Sequence, residues 1–129
     1  MKLASIDVGL KRIGVAICLA SNIVTPQNAI LRKNRDQAAR DVNTFLKEWE
    51  IDKLIVGLPS SSEDTQNRIK HFVGLLELKI PFEFQEENMS SIEAEEMMKG
   101  EIKYKRDGRV DSLAAKIILE RFLAKKPSL

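Results

Sequence analysis

Residues 3–18 read LASIDVGLKRIGVAIC, two apolar runs joined by a short link that contains a glycine and two cations. Such a pattern folds as a hairpin, because a brief glycine-bearing connection leaves the second run nowhere to go but back along the first. Residues 2–8 therefore read as a strand, Gly9 to Arg12 as a tight turn, and Ile13 to Leu19 as the returning strand. The hairpin carries an anomaly. Asp7 stands inside the first run, and burying a carboxylate costs free energy unless something pairs with it.

The remaining pattern completes a sheet. Residues 23–30 make a third strand, and Pro26 within it removes a ladder donor, which assigns that strand to a sheet edge. Ala38, Val42, Phe45, Leu46 and Trp49 recur at helical spacing across residues 35–50. KLIVG, at Lys53 to Gly57, is a continuous apolar run of the kind covered on both faces of a sheet. A polar loop, LPSSSEDTQ, leads into a helical pattern over residues 63–78, and PFEFQEE then alternates as a short strand. Ser90 with Glu93 three residues on is a capping-box signature for a short helix through Ile92, Met97 and Met98. GEIKYKRDGR reads as a basic loop, and Val110 to Leu123 as a final helix with Pro127 beyond it. The fold class is thus α/β: a mixed five-stranded sheet in the order 3-2-1-4-5 flanked by helices, with strands 4 and 5 parallel to strand 1. The C-terminal ends of strands 1, 4 and 5 then lie side by side, where ligands collect in such sheets.

At 129 residues, 43% of them hydrophobic, the chain has material for one core, so residues 1–129 are expected to form a single domain. Asp7, Lys11 and Arg12 interrupt the apolar N-terminal segment before it reaches signal-peptide or membrane-spanning length, which predicts a soluble, cytoplasmic protein with no membrane partner. The single cysteine, Cys18, falls within the second strand and reads as a small buried hydrophobe. The net charge of +2 conceals a bipolar distribution. Glu83, Glu86, Glu87, Glu93, Glu95 and Glu96 form an acidic stretch, and Lys99, Lys103, Lys105, Arg106 and Arg109 follow it. That arrangement suits a metal site beside a polyanion track, as well as two solvated surfaces of opposite sign.

On this topology the carboxylates converge. Asp7 ends strand 1, Glu86 and Glu87 end strand 5, and Asp111 begins the last helix on the face of Ala114, Ala115, Ile118 and Phe122. Without a cation their mutual repulsion would raise at least one pKa. Hard oxygen ligands suit Mg²⁺ or Mn²⁺, and two such ions roughly 4 Å apart clamp an in-line phosphoryl displacement, the chemistry of a nuclease. Each residue also has a plainer explanation: Asp7 as a turn-stabilising aspartate, Asp111 as a favourable charge at a helix N-terminus, and Glu86 and Glu87 as ordinary strand-end charges. Which of Glu86 and Glu87 would be the ligand stays open, since a one-residue slip reverses the face. Lys11 and Arg12 stand where they could hold a phosphate, as do Ser60, Ser61, Ser62 and Thr65, although at least one of these hydroxyls is expected to cap the next helix. His71 falls on a helix away from the crevice, and Tyr104 is a candidate to stack on a base.

IDVGLKRIGVAI, IVGLP, EENMSSIEAEE and GRVDSLAAKIIL, in that order, resemble the YqgF/RuvX family across essentially the whole chain. Members are described as candidate Holliday junction resolvases and as the nuclease that matures the 5′ end of 16S ribosomal RNA precursors. The resemblance implies a ribonuclease H-like fold and a divalent-metal-dependent nuclease, with Asp7, Glu87 and Asp111 in the positions of the family's acidic residues. Glu86 stands where the family has an aspartate and Asn88 where it has an arginine, which removes a bidentate phosphate clamp. The glycine usual in the loop after VGLP is also missing. The implied function is hydrolysis of phosphodiesters, most simply in precursor 16S rRNA. Alternatives are resolution of branched DNA junctions, or a non-catalytic RNA-binding module in ribosome biogenesis. Mg²⁺ or Mn²⁺ would be held by Asp7, Glu86, Glu87 and Asp111, and the nucleic acid by Lys11, Arg12, Ser60, Lys103, Lys105, Arg106 and Arg109. The protein is expected to be a monomer or weak homodimer. A phosphate-handling ATPase, which DxGxK also resembles, needs two such domains facing each other.

Overall fold

Strands β1 (Leu3–Val8) and β2 (Arg12–Cys18) form the hairpin, paired antiparallel from Leu3 opposite Cys18 to Val8 opposite Ile13. The computed structural model describes residues 1–60, 62–86 and 112–125. The link closes through the Gly9 N–H, which donates to the Arg12 carbonyl at 3.0 Å. β3 (Thr25–Leu31) pairs antiparallel with β2, while β4 (Lys53–Leu58) and β5 (Phe82–Glu86) run parallel to β1. The sheet order is β3-β2-β1-β4-β5, as the sequence predicts, with the strand containing Pro26 at an edge. That strand begins two residues later than its apolar pattern. Ser21 and Asn22 adopt left-handed conformations, φ 59° and 58°, and the Ile23 N–H turns back to the Ala20 carbonyl, so the chain is still turning where the pattern already alternates.

Helices α1 (Arg35–Glu48) and α2 (Glu63–Leu76) cover one face of the sheet, and α3 (Leu113–Lys125) covers the other. Asn34 caps α1 by accepting from the Gln37 N–H at 2.8 Å, while the Gln37 side chain accepts from the Asn34 N–H at 3.3 Å. Ser62 caps α2, its hydroxyl accepting from the Thr65 N–H at 3.2 Å, so one of the loop hydroxyls does serve the helix. Both helices end two residues before their patterns do, α1 where Glu50 turns left-handed just after the cap and α2 where Glu77 does.

Alternation sorts the core into two layers. Ala4, Ile6 and Val8 of β1 pack with Ile13, Val15, Ile17, Leu54 and Val56 beneath α1 and α2. Leu3, Ala16, Cys18 and Ile55 pack with Ala115, Ile118, Leu119 and Phe122 of α3. β4 is covered on both faces, which explains its unbroken apolar run. Cys18 is buried as expected, and that burial pushes its thiol pKa up.

Candidate active site

β1 contributes Leu3, Ser5 and Asp7 to the α3 face, since Leu3 packs in that layer and every second residue follows it. Asp7 is half-buried near the strand's C-terminal end. Its partner across the hairpin is Gly14, and one step beyond the Ile6–Val56 pair the parallel strand β4 presents Gly57 beside it. Gly57 in turn pairs with Gln85 of β5. The last row of the α3 face therefore reads Gly14, Asp7, Gly57, Gln85. With a glycine on each side, the carboxylate has no side chain next to it in its own row.

Three ties set α3 along this face. At the far end the Lys53 ammonium lies 5.2 Å from the centre of the Phe122 ring and pairs with Glu83 at 2.7 Å. In the middle, the buried Ser5 hydroxyl donates to the Ala115 carbonyl at 2.6 Å. Nearest the crevice, the Val15 N–H donates to the buried Ser112 hydroxyl at 3.0 Å, where β2 and β3 shift register between Ile13 and Val15. The helix thus runs antiparallel to β1, its N-terminal end beside the row that holds Asp7. Neither serine was singled out by the sequence. The available signal was faint: a small hydroxyl residue inside a buried strand, and another opening a run of small helical residues.

The turn after Asp7 carries Lys11 and Arg12, both exposed, and alternation along β2 places Arg12 on the same face as Gly14 and Asp7. Ser60 is exposed just past the end of β4. The structure thus gathers Asp7, Lys11, Arg12 and Ser60 at one end of the sheet. Glu86 is at that end too, but it pairs with Leu58, whose side chain packs in the layer beneath α1 and α2. It is therefore on the opposite face from Asp7, and the two are not brought together. Among the described residues no group of three His, Cys, Asp or Glu side chains could hold a metal ion. Glu87, Asp111, Lys103, Lys105, Arg106, Arg109, Tyr104 and the short helix expected from Ser90 lie outside the described residues. His71 is exposed on α2, on the other side of the sheet, as the topology predicts. No helix among the described residues is long and apolar enough to cross a membrane.

Comparison with known proteins agrees with this layout. The family model described as RuvX, Holliday junction resolvase, matches residues 1–125. A candidate pre-16S rRNA nuclease from a Sulfurovum species is 66% identical over 127 residues, covering 96% of this chain and 99% of that protein. Among solved structures, the fowlpox virus Holliday junction resolvase superposes with a TM-score of 0.56 at 15% identity, covering 95% of this chain and 97% of its own. RuvC from Thermus thermophilus does so with a TM-score of 0.53 at 12% identity, covering 96% and 95%. At such low identity these two likenesses speak to the fold alone, which is ribonuclease H-like. With a family match that spans nearly its whole length, this chain belongs to the RuvX Holliday junction resolvase family.

Proposed function

We propose that the chain is a nuclease that hydrolyses phosphodiester bonds in precursor 16S rRNA, with Asp7, Glu87 and Asp111 as its acidic centre. The observation that carries this reading is the Asp7 row: a half-buried carboxylate between two glycines, at the sheet end where the hydroxyl of Ser112, the residue after Asp111, is tied to Val15. Glu86 pairs with Leu58 and so faces away from Asp7, which favours Glu87, the residue the family resemblance puts in the acidic position. The names of the curated relatives support the RNA substrate.

A donor set made of carboxylates fits Mg²⁺ or Mn²⁺ better than a softer metal. Asp7, Glu87 and Asp111 would hold the cation, which supplies charge stabilisation at the phosphoryl group and acidifies water when bound. The chain's own contribution is placement. Strand β1 fixes the Asp7 carboxylate, with a glycine on each side of it in its row, and Arg12 is on the same face with Lys11 beside it. Ser60, and the Lys103 to Arg109 segment, would hold backbone phosphates further along. Cytoplasmic location and a monomeric or weakly dimeric state go with an RNA substrate that needs only one cut at a time.

The second reading is resolution of branched DNA, which the family's own description favours. It requires two sites related by symmetry, hence a dimer on the junction. The deciding experiment is incubation of the purified protein with end-labelled precursor rRNA and, in parallel, a four-way DNA junction, with Mg²⁺ or Mn²⁺. Cutting of the RNA by the wild type and by neither Asp7→Asn nor Asp111→Asn is expected. Cutting of the junction alone would transfer the assignment to the resolvase, and RNA binding without cleavage in any metal would make the protein a binding module.

A further inference from the structure

On the face opposite α3, a group of cations has no counter-charge among the described residues. Arg32 follows β3 and braces the hairpin turn twice: its N–H donates to the Lys11 carbonyl at 2.9 Å, and its Nη1 donates to the Gly9 carbonyl at 2.9 Å. Its guanidinium also lies 5.3 Å from the centre of the buried Phe72 ring on α2. Arg68 is one helical turn before Phe72 and so flanks the same spot. Arg35, in the first turn of α1, sets its Nη1 3.3 Å from Nε2 of His71, the neighbour of Phe72. Three guanidiniums and an imidazole thus gather where the first turn of α1 and the second and third turns of α2 meet the hairpin turn.

Nothing described in the protein neutralises them. Asp36 adjoins Arg35 and Asp64 is one turn before Arg68, yet among the described residues no carboxylate forms an ion pair with Arg32, Arg35 or Arg68. The Arg68 Nε is buried with no hydrogen-bond partner among the described residues. A buried donor left unpaired is costly, and native proteins rarely tolerate one that no ligand or water serves. Burial first, then the adjacent charges of Arg68 and Arg35, lower the Arg32 pKa from the ordinary arginine value, as expected of cations crowded together. The cluster is open to solvent through the exposed Arg35 and His71.

We propose that Arg32, Arg35 and Arg68, with His71 beside them, form a phosphate-binding site for the nucleic-acid backbone flanking the scissile bond. Arginine suits this task because its planar fork of donors matches phosphate oxygens. The identity of the occupant rests on the nuclease reading. Gly9, whose carbonyl Arg32 holds, is two residues past Asp7, and Lys11 and Arg12 occupy the turn between. A strand cut at the Asp7 face would pass over that turn and reach the arginines on the other side.

The test measures binding rather than cleavage. A fluorescently labelled precursor-rRNA fragment is titrated with the full-length protein in EDTA across a series of salt concentrations, comparing wild type with Arg35→Gln, Arg68→Gln, the double variant and Arg68→Lys. Arg32 is left in place because the turn depends on it, whereas the Arg68 Nε makes no bond whose loss would harm the fold. Each glutamine variant should bind several-fold more weakly, with the slope of log K against log salt reduced by about 0.7–0.9 per contact. Arg68→Lys should restore the slope, since it restores the charge. An unchanged slope in the double variant overturns the proposal. So does a result in which inorganic phosphate binds the wild type and not the double variant while RNA binding is the same for both, since the site would then serve a small phosphate compound. If the slopes change as expected but wild type with Mg²⁺ cuts neither RNA nor junction, the arginine site stands and the nuclease reading falls.

Discussion

At the scale of single residues, strand register decides which way Glu86 points. Glu86 pairs with Leu58 and shares its face, away from Asp7, so Glu86→Gln should leave cleavage within a few-fold of wild type. Glu87→Gln should lose at least about 10²-fold, the scale for removing a group that stabilises developing charge. Steady-state cleavage rates of the two variants check this, and equal losses would refute the assignment. Ser112 has a different task. Ser112→Ala would strand the buried Val15 N–H, at a cost of about 1–3 kcal/mol, visible as a lower denaturant midpoint with an unchanged slope. Neither distinction was legible in the residues themselves. Two neighbouring glutamates look alike, and Ser112 meets Val15 across 97 positions of chain.

At the scale of elements, the β1–β2 hairpin turn is the piece that aligns Asp7 with the cations beyond it. Gly9 is required there for space: a Cβ at that position would sit 2.4 Å from the Arg12 carbonyl oxygen, which itself accepts the Gly9 N–H. Gly9→Ala must therefore push the turn apart. It should cost about 1–3 kcal/mol in stability and reduce cleavage at temperatures where the variant is fully folded, as thermal melts and rate measurements together would reveal. The caps of α1 and α2 matter for the same region, because both helices start at this end of the sheet and bring Arg35 and Arg68 to it. Ser62 was among the loop hydroxyls expected to cap a helix, whereas Asn34, engaged in a reciprocal pair of hydrogen bonds with Gln37, was not singled out.

At the scale of the whole molecule, one end of the sheet carries charged side chains on both faces: Asp7 on the α3 face, and cations between α1 and α2 on the other. The two should separate experimentally. Removing divalent metal with EDTA should abolish cleavage while RNA binding persists, because the arginines, Lys11 and Arg12 need no metal to attract phosphates. A parallel loss of binding and cleavage would mean that the cation, and not the basic residues, holds the nucleic acid. The packing that supports this layout is dense in long-range ties: Ser5 to Ala115, Val15 to Ser112, Lys53 over Phe122, and Arg32 to Gly9.

Read alone, the sequence determined the order of the elements, the edge position of the strand with Pro26, the buried character of β4, and the candidacy of Asp7. All of these follow from local signals: period-2 and helical spacing, a proline without its N–H, and a charge where apolar residues should be. It overran the starts and ends of elements by two residues where Asn22, Glu50 and Glu77 turn left-handed, because apolar spacing continues past the point where the backbone stops. Only the tertiary structure decided which face Glu86 takes, how two serine hydroxyls tie α3 to the sheet, and that Arg32, Arg35 and Arg68 meet with no ion-paired carboxylate among the described residues. Those facts depend on strand register and on contacts between distant segments, and a register is a relation between strands that neither strand encodes by itself.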